Sequence, residues 1–308
     1  MLQQDTFLGC PAWTLENEFL RAVVLPEHGG KTASLILREK GFELLFQNPR
    51  PGFRKARCGD DFSDYEACGF DEAFPTVDPC TVTVGGEAVA YPDHGELWSA
   101  AFDAEPDGDA LALRFTSPLL GYRYRKRLTL EGPKLVCRYQ IENPTLRDIP
   151  ALWVCHCLVR AEPGLQIQLP PEVRLVESAF TSDWLGPAGN LLPYPQARGP
   201  RGPLDLRRMP PDGCLKFYAR GRVEAGWCRY LYPGSKVQAT LRYDTAALPY
   251  LGFWATAGGY RGDVNCALEP ASGYYDNIPL AMERGACPVL HAGETWEFTL
   301  EIELAPLA

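Results

Sequence analysis

The sequence has 308 residues, among them 28 prolines and 29 glycines, and carries a formal charge of −9. With 46% apolar residues it has ample material for a packed core, which excludes disorder. The Pro and Gly excess points to many turns and few long helices, and the acidic balance argues against nucleic acid or an anionic membrane as main partner.

In chain order, the first clear signal is a hairpin. Leu35-Ile-Leu-Arg38 and Phe42-Glu-Leu-Leu-Phe46 flank Glu39-Lys-Gly41. Short helical turns are expected near Asp61–Ala67 and again near Ile278–Arg284. Tyr122 to Leu130 reads as a strand, and Leu135, Cys137, Tyr139 and Ile141 alternate with polar residues until Asn143-Pro144. The apolar stretch Ile149–Val159 is too short to span a bilayer and contains His156. Residues 186–213, rich in Pro, Gly and Arg, are expected to be a long surface excursion. Near the end, Phe298, Leu300, Ile302 and Leu304 alternate with acidic and hydroxyl residues, one face for a core and one for water. Many short strands with regular turn signals predict an all-β sandwich or barrel. Strands of one style on both sides of residues 186–213 favour a single domain over 1–308.

The cysteine count is 11, an odd number, and no spacing suggests a disulfide framework. A reducing compartment follows. The N-terminal residues lack a basic region followed by a continuous apolar one, so a soluble, cytoplasmic protein is expected. Metal chemistry finds no support. Cys155 and Cys157 would face one way on a strand and His156 the other, and Cys58, Cys68 and Cys80 are too widely spaced for a zinc knuckle. Gly-x-Ser-x-Gly, phosphate-loop, Gly-x-Gly-x-x-Gly and His-Glu-x-x-His patterns are all absent. No cofactor is expected.

Only four histidines are present. His28 and His291 precede glycines and read as turn residues. His94 lies in Tyr91-Pro-Asp-His-Gly-Glu-Leu-Trp98, either a wall of a polar site or a solvated turn. His156 sits alone in a β-type apolar run, where an imidazole needs a polar partner. It is either a core histidine bonded to backbone or a functional one. Glu269 ends an apolar strand before Pro270, poised for a raised pKa or an ion pair, or else marks where the strand leaves the core.

Taken together, several blocks resemble the aldose 1-epimerase (galactose mutarotase-like) family, over most of the chain. They are Gly29-Gly-Lys-Thr-Ala-Ser-Leu35, Phe42-Glu-Leu-Leu-Phe-Gln-Asn-Pro49, Gly69-Phe-Asp-Glu-Ala-Phe-Pro-Thr76 and Asp93-His-Gly-Glu-Leu-Trp98. Further on come Glu142-Asn-Pro144, Leu152-Trp-Val-Cys-His156, Leu251-Gly-Phe-Trp254, Leu268-Glu-Pro-Ala-Ser-Gly273 with Asp276, and Gly293-Glu-x-Trp296. The match is best to a less characterised branch with the Asp-His-Gly-Glu-Leu-Trp block.

The resemblance implies a large twisted β-sandwich of the supersandwich type, with a sugar site in its concave face. It implies mutarotation, the interconversion of an aldose's anomers by ring opening, with a small-molecule sugar as the ligand. Glu269 would take the anomeric proton, His156 would protonate the ring oxygen, and His94 would hold the sugar. Arg54 and Arg57 are candidates for the family's site arginine, or are solvated loop charges. Asp71 and Glu72 would meet hydroxyls or cap the turn before Phe74-Pro75. Trp98 and Trp153 would stack on the sugar or pack in the core. Lys216, a lone cation in an apolar strand, would point into the site. Two other readings stand beside this one. A non-catalytic carbohydrate-binding protein would need no acid–base pair. A hexose-phosphate mutarotase would need cations from Arg54-Lys55-x-Arg57 or Arg123-x-Arg125-Lys126-Arg127. The −9 charge makes a neutral sugar the easier substrate.

Overall fold

Alternation along the sequence becomes alternation of faces in three dimensions. In the C-terminal strand, Thr295–Pro306, the side chains of Phe298, Leu300, Ile302 and Leu304 are buried while their neighbours are wholly or partly wet. The computed structural model describes residues 1–50 and 52–307 and is built mainly of antiparallel strands. Helix among the described residues amounts to α1 (Ile278–Glu283) and three single 3-10 turns. Both helical turns expected from the sequence are there, at Phe62–Asp64 and at α1. So is the hairpin at Gly41, whose φ of 57° needs the left-handed region that glycine enters at little cost. No helix among the described residues is long and apolar enough to cross a membrane.

Two large sheets, of thirteen and eight strands, supply one continuous core. Six strands of the larger sheet matter here: β1 (Lys31–Leu37), β2 (Phe70–Ala73), β3 (Val154–Cys157), β4 (Gly213–Ala219), β5 (Tyr250–Ala257) and β6 (Val264–Ala271). They lie side by side in the order β1-β2-β3-β6-β5-β4. The smaller sheet includes Arg123–Glu131, Lys134–Glu142 and Thr295–Pro306. Between the sheets, Trp153 donates its Nε1 proton to the Tyr124 hydroxyl at 2.9 Å.

A charged pair also crosses this core. Lys126 Nζ lies 2.6 Å from Glu72 Oε1, and neither side chain is exposed to solvent. Tyr139 donates to the same carboxylate oxygen at 2.8 Å. Burial of either charge alone would be costly, so each sheet depends on the other for its counterion. Residues 186–213 are more regular than expected. Leu191–Pro193 closes the edge of the large sheet, and Gln196–Gly199 pairs with Gly202–Asp205 as a hairpin. The backbone hydrogen bonds of the hairpin explain why so Pro- and Gly-rich a stretch is ordered.

Candidate active site

The large sheet has one face on the core and one on a cleft, and period two decides which residue goes where. On β3 the flanking Cys155 and Cys157 are in the core, so His156 faces the cleft. On β4, Leu215 and Phe217 are in the core and Lys216 faces out. On β5 and β6 the same alternation sends Trp254, Asn265 and Glu269 to the cleft. Its volume is ≈ 770 Å³ with the open mouth included, within the usual size for a small-molecule site.

His156 is held from behind. Its Nδ1 lies 2.7 Å from Asp71 Oδ1, directly across the β2–β3 pairing. The second oxygen of Asp71 is 2.7 Å from Lys31 Nζ, which also donates to the Cys68 carbonyl at 2.7 Å. Burial by itself would push the Asp71 carboxyl up, but the Lys31 ammonium and the bond from His156 outweigh it and hold it well below the usual range. Asp71 is therefore a carboxylate, and His156 must donate to it through Nδ1–H.

His94 sits in a turn at φ 54°, a left-handed conformation unusual for a residue with a Cβ. Its amide donates to the Val77 carbonyl at 2.6 Å, and its ring stacks on Phe62 with centroids 4.0 Å apart. Its Nδ1 lies 2.8 Å from Asp93 Oδ1, while the other Asp93 oxygen accepts from the Phe62 amide at 2.9 Å. The two imidazoles stand 5.3 Å apart, centroid to centroid. Both turn an Nδ1 to a carboxylate, which frees Nε2 for a ligand.

Across the cleft, Lys216 Nζ lies 3.1 Å from Glu269 Oε2 and 2.7 Å from Asp276 Oδ1. Tyr218 donates to the same Asp276 oxygen at 2.6 Å. Burial alone would lower the Lys216 pKa, and the two carboxylates reverse that and hold it up. Gly252 makes the contact possible. A Cβ there would come within 3.1 Å of Glu269 Oε2 and 3.2 Å of the Tyr218 ring, so any side chain would crowd the carboxylate.

The other sequence candidates lie elsewhere. Asp71 meets His156 and Lys31 rather than the cleft, and Glu72, the next residue on β2, points into the core to Lys126. Neither caps a turn. Trp153 is fully buried between the sheets. Trp98 is buried beneath the His94 turn, where its Nε1 donates to the Asp93 carbonyl at 2.9 Å. Arg54 is largely exposed and bonded to Glu66, and Arg57 is exposed on the same loop. No arginine lines the cleft among the described residues. Phe62, Asp78, Tyr260 and Asn265 do line it and were missed. Asn265 had a signal, four residues before Glu269 on one strand face. Phe62 belongs to the expected helical turn, whose facing toward the cleft had no signal, and Asp78 and Tyr260 come from loops and had none. Among the described residues no group of His, Cys, Asp and Glu is arranged to hold a metal ion.

The folded chain is a galactose mutarotase-like β-sandwich, the architecture that the sequence blocks implied. It is similar to the Slr1438 protein of Synechocystis sp. PCC 6803, with a TM-score of 0.74 at 16% identity over 98% of this chain and 97% of that one. It is also similar to a galactose mutarotase-like protein from Lactobacillus casei ATCC 334, with a TM-score of 0.71 at 18% identity over 96% and 100% of the two chains. An aldose epimerase homologue from C. elegans superposes with a TM-score of 0.64 at 13% identity over 96% and 98%. At these identities the likeness is one of fold. No protein-family model and no curated protein matches the sequence.

Proposed function

We propose that this chain is an aldose 1-epimerase-like isomerase that interconverts the anomers of an aldose by acid–base ring opening. The observation that carries the reading is the convergence of His94, His156 and Glu269 on one cleft of monosaccharide size. They come from a turn, a central strand and its neighbour. Glu269 takes the proton of the anomeric hydroxyl. His156, protonated at both nitrogens, gives its Nε2 proton to the ring oxygen as the C1–O5 bond breaks, and Asp71 steadies the imidazolium through Nδ1. His94 donates from Nε2 to the sugar. After rotation about C1–C2 the hydroxyl re-adds to the other carbonyl face. His156 recovers its proton and Glu269 returns the one it took, so the reaction is balanced without a cofactor.

The cleft also speaks for an uncharged sugar. Among the described residues its one lysine is already committed to two carboxylates, which leaves no free ammonium or guanidinium for a phosphate. Polarimetry on a panel of pure aldose anomers tests the reading. Equilibration faster than the buffer rate is expected for at least one free aldose, with Glu269→Gln slowing it by ~10²–10⁴-fold. Saturable binding with no acceleration across the panel would mean a binding protein, and full activity in Glu269→Gln would remove the base from its role.

A further inference from the structure

His156 is one of four histidines, yet it alone is tied to a buried lysine through a carboxylate. Lys31 lies at the start of β1, and its ammonium meets Asp71 on β2. The contacts are short, 2.7 Å on each side of the carboxylate, and the side chains of Lys31 and Asp71 are only 6% and 2% exposed. The ammonium is also fixed in direction, because the Cys68 carbonyl takes one of its protons at 2.7 Å. A cation anchored this rigidly against a carboxylate does more than fill space.

We infer that Lys31 is a positioning residue, acting through Asp71 to set which nitrogen of His156 carries the retained proton and how tightly the other holds the mobile one. This rests on the proposed role of His156 as the acid. The physics is a competition for one carboxylate. With Lys31 on its far oxygen, Asp71 shares its charge between an ammonium and an imidazole, and His156 releases the Nε2 proton readily. Without Lys31 the whole carboxylate charge falls on the imidazolium, which then holds its proton more firmly. A reluctant acid is a slower one.

Other titratable groups line the same cleft. His94, backed by Asp93, approaches from the turn, and Glu269 and Lys216 stand on β6 and β4. Asp276, Asp78 and Tyr260 complete the wall from loops. None of them touches Lys31, so a change at Lys31 reaches His156 by way of Asp71.

The test is ¹⁵N NMR of histidine-labelled full-length chain across pH, with the His156 signals assigned by their loss in His156→Gln. Neutral His156 is expected as the Nδ1–H tautomer. In Lys31→Met its titration midpoint should rise by about one pH unit. Asp71→Asn should lower it, and Lys31→Arg should leave it in place. Lys31→Gln keeps a hydrogen bond without the charge and should behave as Met does, so it carries the test if the Met variant does not fold. In sugar assays the alkaline limb of the kcat profile should move up with the midpoint while the plateau falls. An Nε2–H tautomer in the unmodified chain, or an unmoved midpoint in a folded Met or Gln variant, overturns the inference. The NMR readout needs no substrate. Should no sugar be turned over while the midpoints move as stated, the enzymatic reading falls and the Lys31 relay stands.

Discussion

Lysines carry much of the physics of this molecule, because three of them sit in places where an unpaired ammonium would be intolerable. Lys31 pairs with Asp71, Lys126 with Glu72, and Lys216 with Glu269 and Asp276. Removing one partner of such a buried pair costs ~3–5 kcal/mol, against ~0–1 for a pair exposed on both sides such as Lys55–Glu27. The pH dependence follows from the directions of the shifts. The Asp71 pKa is depressed, so its contribution is fully present above the unfolded carboxylate value of about 3.9 and is lost as pH falls through the folded value. The Lys31 pKa is raised, so its contribution is fully present below about 10.4 and is lost only as pH climbs through the folded value above that. The stability gap between the unmodified chain and Lys31→Met, from urea unfolding, should narrow as pH falls through the range in which His156 takes up its proton, because the relay gives that variant the higher His156 midpoint, and shrink further below about 4. A gap that stayed flat from about pH 9 to 5 would mean that Lys31 does not act on His156. Of these lysines only Lys216 stood out in the sequence, as a lone cation among apolar residues. Lys31 carried no such mark, because its partner lies forty residues on and only strand pairing brings the two together.

At the scale of elements, the segment after β6 shows how a distant residue holds the site. Glu177 is buried and accepts from Tyr274 and Tyr275 at 2.9 and 2.8 Å, and Arg284 lies 2.8 Å away. Arg220 pairs with the same carboxylate. Tyr275 takes φ 77°, and its ring stacks on Tyr218, 5.4 Å between centroids. The next residue is Asp276, the partner of Lys216. The clamp thus fixes both ends of the segment, the tyrosines before Asp276 and the end of α1 beyond it. Arg284→Ala leaves Glu177 its other partners, so a global loss of about 1 kcal/mol is expected. Its local effect should be larger. Amide exchange over residues 274–284 should accelerate while the strand Lys134–Glu142 stays protected, and KM for any sugar turned over should rise more than kcat falls. Unchanged exchange in the segment would show that the clamp is not what orders it. The helix near Ile278–Arg284 was legible from its residues. The clamp was not, since Glu177 belongs to a strand a hundred residues upstream.

Across the whole molecule, period-two alternation told which face of each strand is buried, and this alone brought His156, Lys216 and Glu269 to one side of the sheet. The order of strands was not legible, because neighbours such as β3 and β6 are joined by backbone pairing that leaves no local trace. The same alternation explains the cysteines. Six are buried (Cys68, Cys137, Cys155, Cys157, Cys228 and Cys266), four are partly buried, Cys58 is exposed, and none is in a disulfide. Burial pushes the Cys137 thiol up to about 12, and pushes Cys155, Cys157 and Cys228 well above the ordinary thiol range. Since the thiolate is the reactive form, a thiol held near 12 is ionised in only about one molecule in 10⁴ at pH 8, before access is counted. A thiol-reactive chromophore added to the native protein at pH 8 should therefore report Cys58 first and the four partly buried cysteines more slowly. The thiols of Cys137, Cys155, Cys157, Cys228 and Cys266 should appear at the rate of global unfolding, since they lie in the core the two sheets share. Reductant should leave Tm unchanged. Rapid labelling of more than six thiols with the far-ultraviolet circular dichroism intact would mean that the sheets part without unfolding.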